Sequence, residues 1–197
     1  GVAPDAIRAA AAAFEGVEHR LEQVALVDGV RFVNDSQGTQ PDAVIAALRA
    51  FEAPVVLIAG GRDKGVDLSD LATVAVERAA AAVLIGESAP KLERLFRSAG
   101  LERIERATTL DDAVRRGDAI ARELLQARGA GSQVGTADAR PATVLLSPAA
   151  ASFDMFIDYA ARGRAFKAAV AELSAGRARR EASEAGAPDR VGEGSRR

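Results

Sequence analysis

The chain has 197 residues, of which 48% are hydrophobic and 27% charged, as is typical of a soluble globular protein with one ordinary domain plus extensions. A formal net charge of −2 argues against a nucleic-acid partner, and no apolar run approaches the roughly 18 residues that a membrane span needs. Cysteine is absent and histidine occurs once, which excludes disulfides, thiolate catalysis and zinc-thiolate sites. We expect a cytoplasmic monomer without a membrane or nucleic-acid partner.

The chain is predicted to open with a helix and a hairpin. Residues 4–14 begin at a proline and are rich in alanine, which favours a helix. Asp28-Gly29 lies between two apolar runs and is a strong hairpin signal. Antiparallel strands are therefore predicted at 20–27 and 30–34.

The rest of the chain alternates between helical spacing and short apolar runs. Helices are predicted over 41–51, 68–79, 89–100, 109–127 and 154–173, and strands over 54–60, 81–86, 102–107 and 142–149. Such alternation is typical of parallel strands joined by crossover helices. The predicted fold is α/β: a Rossmann-like, doubly wound, mostly parallel sheet with a leading β-hairpin, which binds ligands at the carboxyl ends of its strands.

Two segments lack the periodicity of this domain. Residues 128–141 are rich in Gly, Ser and Ala, and are predicted to form a flexible insertion. Residues 174–197 are polar, charged and poor in large apolar side chains, so a disordered tail is expected there.

Small and polar residues collect where four predicted strands end, at 34–39, 60–65, 86–88 and 148–152. Glycine lets backbone N–H groups approach a ligand, and helix N-termini favour anions. In a doubly wound sheet these turns share one edge, which would bring together Asp35, Thr39, Lys64 and Ser152. The pattern indicates a site for a small anionic molecule.

Each of these residues also has an ordinary structural explanation. Asp35 is a suitable helix cap, and Lys64 could be a solvated loop residue. His19 and Arg20 could be a surface pair, and Tyr159 a core residue. The chain contains neither a P-loop nor a Gly-x-Gly-x-x-Gly motif. With one histidine and no cysteine, it has too few suitable side chains for a metal cluster or a His-based triad.

Four motifs, taken together in their order along the chain, are more specific than any of these residues alone. They are a His-Arg pair before the hairpin, an Asn-Asp-Ser-x-x-Thr turn, a Gly-Gly-x-x-Lys-Gly loop, and a Leu-Ser-Pro-x-x-x-Ser-x-Asp-x-Phe turn. Together they resemble the C-terminal part of the Mur ligase family, in particular its D-glutamate-adding branch, over about residues 5–173. The resemblance implies that residues 1–16 end a central ATPase domain and that 17–173 form an amino-acid-binding domain.

The resemblance also implies a reaction and its cofactors. Members of the family use ATP and Mg²⁺ to convert a carboxylate to an acyl phosphate, which the amine of the incoming amino acid attacks. Here the small-molecule substrates would be UDP-N-acetylmuramoyl-L-alanine, D-glutamate and ATP. The P-loop and most magnesium ligands belong to the central domain, so no catalytic or metal-binding residue is expected in this chain, and alone it should be inactive.

Site residues carry over from the family motifs position by position. The resemblance assigns nucleotide contacts to His19, Arg20, Asp35 and Gln37, and D-glutamate contacts to Thr39, Lys64, Ser152, Phe153 and Tyr159. Gln37 departs from the pattern, because many members have a lysine there. Gln37 can donate a hydrogen bond but brings no charge.

Two other interpretations stay open. The chain could belong to a ligase that adds another amino acid or a folate glutamate tail, although the Asp-x-x-Arg motif usual in the L-lysine and diaminopimelate enzymes is missing. It could instead be a free-standing, non-enzymatic domain that binds an amino acid or a nucleotide. The missing initiator methionine and the opening helix favour a fragment of a ligase over this second interpretation.

Overall fold

In the computed structural model, which describes residues 1–14, 16–131 and 140–185, one six-stranded sheet organises the protein. Its strands are β1 (Glu22–Val27), β2 (Val30–Asn34), β3 (Val55–Gly60), β4 (Ala81–Ile85), β5 (Ile104–Arg106) and β6 (Ala142–Leu146), in the spatial order β1-β2-β6-β3-β4-β5. β1 pairs antiparallel with β2, and all other neighbours are parallel. The predicted α/β sheet with a leading hairpin is confirmed.

Six helices accompany the sheet in the described residues: α1 (Pro4–Ala12), α2 (Pro41–Ala50), α3 (Ser69–Arg78), α4 (Ala89–Ala99), α5 (Leu110–Gly131) and α6 (Tyr159–Ala185). Side chains of α2, α3 and α4 share one hydrophobic core with the sheet, and side chains of α5 and α6 share the other. None of the described helices is both long enough and apolar enough to span a bilayer.

The two cores follow from the alternation of side chains along the central strands. Val55 and Leu57 of β3 belong to the core under α2–α4, whereas Val56 and Ile58 belong to the core under α5 and α6. Successive strand residues point to opposite faces of a sheet, so a strand covered on both faces must be apolar throughout. This explains the uninterrupted apolar run that identified β3 in the sequence.

The chain order places a ligand-binding edge in the middle of the sheet. From β2 the chain crosses to β3 and continues outward to β4 and β5. It then returns along α5 to β6, which is inserted between β2 and β3. In sheets of this kind ligands bind at the carboxyl ends of the strands, where the strand order reverses. The turns after β2, β3 and β6 are the ones at this point.

Helix boundaries correct three predictions. α5 continues to Gly131, so 128–131 are helical although we expected them in a flexible insertion, and the rest of that insertion, 132–139, lies outside the described residues. α6 continues to Ala185, into the expected disordered tail, of which 186–197 lie outside the described residues. The α6 extension is rich in Ala, Arg and Glu, which have high helix propensity whatever their packing. The α5 extension reads Arg-Gly-Ala-Gly, and its residue types do not explain why the helix continues there. α6 also begins at Tyr159 rather than at 154, because the Oδ1 of Asp158 caps it by accepting from the Ala161 N–H at 2.6 Å.

Candidate functional site

Backbone hydrogen bonds join the turns at the carboxyl edge of the sheet. The N–H of Ala149, after β6, donates to the carbonyl of Gly38, after β2, at 2.9 Å. The N–H of Ser88, after β4, donates to the carbonyl of Gly61, after β3, at 2.8 Å. The N–H of Arg62, after β3, donates to the carbonyl of Ala151, after β6, at 2.9 Å and so links the two pairs. The four turns chosen from the sequence therefore form one continuous surface, as the doubly wound fold predicted.

A buried arginine that the sequence analysis missed lies beneath this surface. Arg162 is 1% exposed. Its Nε donates to the Oγ of Ser36 at 3.0 Å, its Nη2 to the carbonyl of Ser36 at 3.0 Å, and its Nη1 to the carbonyl of Ala150 at 3.3 Å. Arg162 thus ties the turn after β2 to the turn after β6. Burial lowers its pKa to about 10, so the side chain is a cation at neutral pH.

Glycine at position 61 makes room for this arginine. A Cβ there would lie 2.3 Å from the Ala151 carbonyl oxygen and 3.2 Å from Nη1 of Arg162. Gly61 also has a φ of 141°, in the region that side chains avoid. Glycine is therefore required at position 61 by the close approach of two loops and a buried side chain.

Asp35 is fixed inside the protein by hydrogen bonds to both of its carboxylate oxygens. Oδ2 accepts from the Oγ of Ser147 at 2.6 Å, and Oδ1 accepts from the backbone N–H of Leu21 at 3.2 Å. Burial raises the pKa of Asp35, whereas these two hydrogen bonds and the charge of Arg20 act in the opposite direction. The role as a cap for α2 that the sequence allowed is not observed, since that helix has no side-chain cap.

His19 is held in place at the start of the hairpin. The residue is 3% exposed, and its Nδ1 lies 2.9 Å from the side-chain amide nitrogen of Asn34. Asn34 also donates to the carboxylate of Glu22 at 3.0 Å. His19 and Leu21 have φ values of 64° and 47°, a conformation that is uncommon outside glycine. This strained turn presents the exposed side chain of Arg20 to solvent.

Gln37 lies against the same turn. Its backbone N–H donates to the His19 carbonyl at 3.0 Å, and its side-chain amide to the Glu18 carbonyl at 3.5 Å. The four residues proposed to contact nucleotide, His19, Arg20, Asp35 and Gln37, therefore lie together around the end of β2. No charge is supplied by Gln37, so Arg20 is the cation of this group.

Thr39 and Lys64 are brought together across two turns. The ammonium of Lys64 donates to the Thr39 carbonyl at 2.7 Å. Burial lowers the pKa of Lys64, and the positive charge of Arg162 lowers it further. Two cations thus lie near one another at the point where the sequence predicted a carboxylate site.

Ser152, Phe153 and Tyr159 take three different positions. Ser152 is 3% exposed, and its carbonyl accepts from the N–H groups of Met155 and Phe156, which closes a tight turn. Phe153 is 67% exposed and projects from that turn. Tyr159 is 42% exposed, and its ring lies edge-on to His19 with centroids 6.3 Å apart. The side chain of Tyr159 is therefore beside the residues assigned to nucleotide, while Ser36 donates to its carbonyl at 2.7 Å.

Asp154 is a second residue that the sequence analysis did not assign. Its Oδ2 accepts from the N–H of Glu87 at 2.9 Å and so joins the turn after β6 to the turn after β4. The signal was present in the sequence, because Asp154 is the aspartate of the Ser-x-Asp-x-Phe motif. A role for Arg162 was indicated less clearly by the sequence. It lies in the first turn of α6, where the spacing of apolar residues does not distinguish a buried arginine from a surface one.

The described residues contain no group of three His, Cys, Asp or Glu side chains placed to hold a metal ion.

Solved structures share the fold of this chain. Two structures of Mycobacterium tuberculosis folylpolyglutamate synthase, one complexed with ADP and one with ADP and AMPPCP, superpose with TM-scores of 0.58 and 0.54 at 15% and 18% identity. Each match covers about 85% of this chain (85% and 84%) and 35% of the synthase. At this identity the likeness shows the fold alone, which this chain shares with about a third of the synthase.

The sequence comparison identifies the family. The profile described as "Mur ligase, glutamate ligase domain" matches residues 19–130, more than half of the chain, which therefore belongs to the Mur ligase family. UDP-N-acetylmuramoylalanine–D-glutamate ligases of Symbiobacterium thermophilum, Salinibacter ruber and Aromatoleum aromaticum are 42%, 44% and 45% identical over 175, 169 and 174 residues. These matches cover 86–88% of this chain but only 33–35% of each relative. The chain spans about a third of the length of the relatives that it matches.

Proposed function

We propose that this chain is the C-terminal part of an ATP-dependent ligase that adds D-glutamate to UDP-N-acetylmuramoyl-L-alanine. One observation carries the proposal: Lys64 and the buried Arg162 converge at the sheet edge, at the turns where the family motifs lie. D-Glutamate has two carboxylates, and cations together with backbone N–H donors are the groups that bind carboxylates. The names of the relatives support the same substrate.

In this proposal the chain positions the nucleophile and supplies no group that reacts. Lys64 pairs with a carboxylate of D-glutamate, and Thr39 and the Ser152–Phe153 turn complete the pocket. The amine nitrogen then attacks the carbonyl carbon of the acyl phosphate. A C–N bond forms, the C–O bond to phosphate breaks, and the amine loses a proton as phosphate leaves. Holding the amine beside the carbonyl carbon converts a two-body encounter into an intramolecular step, which is a large part of catalysis in such reactions.

The residues around the end of β2 would contact the nucleotide. Each oxygen of Asp35 accepts one hydrogen bond inside the protein, and a carboxylate oxygen has a second lone pair with which to accept a ribose hydroxyl. Arg20 would supply positive charge to the phosphates, and His19 and Gln37 would shape the turn that presents it. The folylpolyglutamate synthase that shares this fold is itself complexed with ADP, which supports a nucleotide as a ligand of the full ligase.

The opening helix supports the proposed domain boundary near residue 16. None of the residues of α1 is buried, and Ile7 and Phe14 are 57% and 68% exposed. Apolar side chains on a helix normally pack against a partner surface. We therefore propose that residues 1–16 pack against another domain of the ligase. As a separate proposal, carried over from the resemblance, the protein works as a cytoplasmic monomer.

The proposal is tested by replacing Lys64 with alanine. Loss of the pocket's accessible cation should weaken D-glutamate binding by roughly tenfold or more, because a charge-assisted contact is lost. The measurement is the titration of ¹⁵N-labelled chain with D-glutamate, followed by the KM for D-glutamate in the full-length gene product that carries these residues.

Lys91→Ala is the matched control, because Lys91 holds the same loop through Asp63 at 3.0 Å without contacting the Thr39 carbonyl. Its affinity for D-glutamate should stay near that of the unmodified chain. Equal affinity of the Lys64→Ala variant and the unmodified chain would contradict the site. Phosphate release by the full-length product without D-glutamate, or with another amino acid in preference, would contradict the assigned reaction.

A further inference from the structure

The side chain of Arg162 contacts the turns after β2 and β6 and approaches the turn after β3. It donates to both oxygens of Ser36 and to the Ala150 carbonyl. In the turn after β3, the position that a Cβ on Gly61 would take lies 3.2 Å from Nη1 of Arg162. The three turns that line the pocket are therefore held at fixed distances by one side chain.

The hydrogen bonds of Arg162 all go to uncharged oxygens among the described residues. A buried cation normally pairs with a carboxylate, because an unpaired buried charge is costly. The charge of Asp154, whose carboxylate also accepts from Glu87, acts on Arg162 without a direct hydrogen bond. Lys64 contacts the same turn after β2 through the Thr39 carbonyl at 2.7 Å. The hydrogen bonds of both cations in the described residues go to uncharged oxygens, so the base of the pocket keeps positive charge that no ion pair neutralises.

We infer that Arg162 is a positioning residue that sets the pocket's preference for a dicarboxylic over a monocarboxylic amino acid, an inference that rests on the proposed function. Its hydrogen bonds hold the turns in place for any amino acid. Its uncompensated charge acts through the pocket on the ligand and favours the amino acid with one more negative charge. A purely structural arginine would affect the binding of both kinds of amino acid equally.

The two roles separate when D-glutamate is compared with D-glutamine, which has the same shape and lacks the second carboxylate. Arg162→Gln keeps N–H donors and removes the charge, whereas Arg162→Lys keeps the charge and removes the planar fork. Arg164→Gln is the matched control, since Arg164 lies on the same helix and is exposed. Each ¹⁵N-labelled chain is titrated with both amino acids, and spectral dispersion and Tm show whether it is folded.

Arg162→Gln is expected to lose D-glutamate affinity by about tenfold and D-glutamine affinity by no more than about twofold, as befits the loss of one charge in a partly screened site. Arg162→Lys should weaken both ligands to a similar extent and keep the preference for D-glutamate. Arg164→Gln should leave both affinities unchanged.

An Arg162→Gln variant that keeps the full preference for D-glutamate overturns the inference, even if both affinities fall. If that variant does not fold, Arg162→Lys decides alone, because a folded Arg162→Lys chain without the preference overturns the inference as well. Failure of the unmodified chain to bind D-glutamate contradicts the proposed function itself, and so is distinct from either result.

Discussion

At the scale of single residues, the site consists of polar groups held by neighbours that the sequence does not place beside them. Asp35 depends on Ser147, which is 112 positions away, and Arg162 on Ser36, which is 126 positions away. Because both side chains are buried, their hydrogen-bond partners fix their orientation, and burial together with these partners shifts their pKa values. The motif residues could be selected from the sequence, but their partners could not.

Asp35 gives a prediction on pH. Because burial raises its pKa, the folded protein binds this proton more tightly than the unfolded chain does, and Asp35 makes stability fall as pH rises above its unfolded pKa of about 4. Asp35→Asn can keep both hydrogen bonds without the charge. Its Tm should exceed that of the unmodified chain by roughly 2–4 °C at about pH 7, and the difference should vanish below about pH 4.

The same substitution should weaken nucleotide binding, since a carboxylate is a stronger acceptor for a ribose hydroxyl than an amide is. The checks are thermal melts over a pH series and a titration with ADP. Ser147→Ala is the control, because it removes one hydrogen bond and leaves the charge. A lower Tm for Asp35→Asn at neutral pH would show that the buried charge is not the destabilising feature.

At the scale of elements, the existence and order of strands and helices could be predicted, whereas the ends of the long helices could not. Apolar runs such as Val55–Gly60 report burial on both faces directly. The ends of α5 and α6 lie in segments without apolar periodicity. At the end of α6, which is rich in Ala, Arg and Glu, helix propensity is enough to continue the helix. The composition of these segments suggested flexibility because they contain few residues that could form a core. Composition of this kind does not report which backbone conformation the residues prefer.

Two glycines within α6 give opposite predictions. A Cβ on Gly176 would meet only a side-chain end 4.0 Å away, whereas a Cβ on Gly163 would lie 2.3 Å from Nδ1 of His19. Gly176→Ala should therefore stabilise the protein by about 1 kcal/mol through helix propensity. Gly163→Ala should destabilise it by roughly 1–3 kcal/mol, the usual effect of overpacking.

Urea denaturation of both variants measures the two free energies of unfolding. Gly163→Ala should also shift the NMR signals of the His19 ring, whereas Gly176→Ala should leave them in place. No gain in stability for Gly176→Ala would mean that residues around 176 are not helical in solution.

At the scale of the whole molecule, the strand order decides which surface is the site. A cleft of about 890 Å³ opens between α5 and α6, lined by charged residues that include Asp28 and Asp118. Its charges largely neutralise one another, since Arg122 pairs with Asp28 and Arg177 with Asp118. Asp28 precedes β2, so this cleft is at the opposite edge of the sheet from the family motifs. The volume of a cleft alone would therefore select a surface other than the one that we propose as the site.

A binding map tests this choice. Titration with D-glutamate should shift the amide signals of Gly38, Gly61 and Gly86, which lie in the turns at the carboxyl edge. Signals of Asp118 and Gly176, which line the cleft, should not move. Shifts concentrated in the cleft would show that the amino acid binds between α5 and α6, and would contradict a site chosen from the strand order.

The sequence by itself determined the fold class and the motif turns, because burial on both faces of a sheet and the chemistry of tight turns are local constraints on residue type. It also determined the family through those motifs, which the profile match confirmed. Only the tertiary structure revealed Arg162 and Asp154 as the links between turns. Such links join residues distant in the chain, and their energy depends on burial and charge that arise only when the sheet brings its strand ends together.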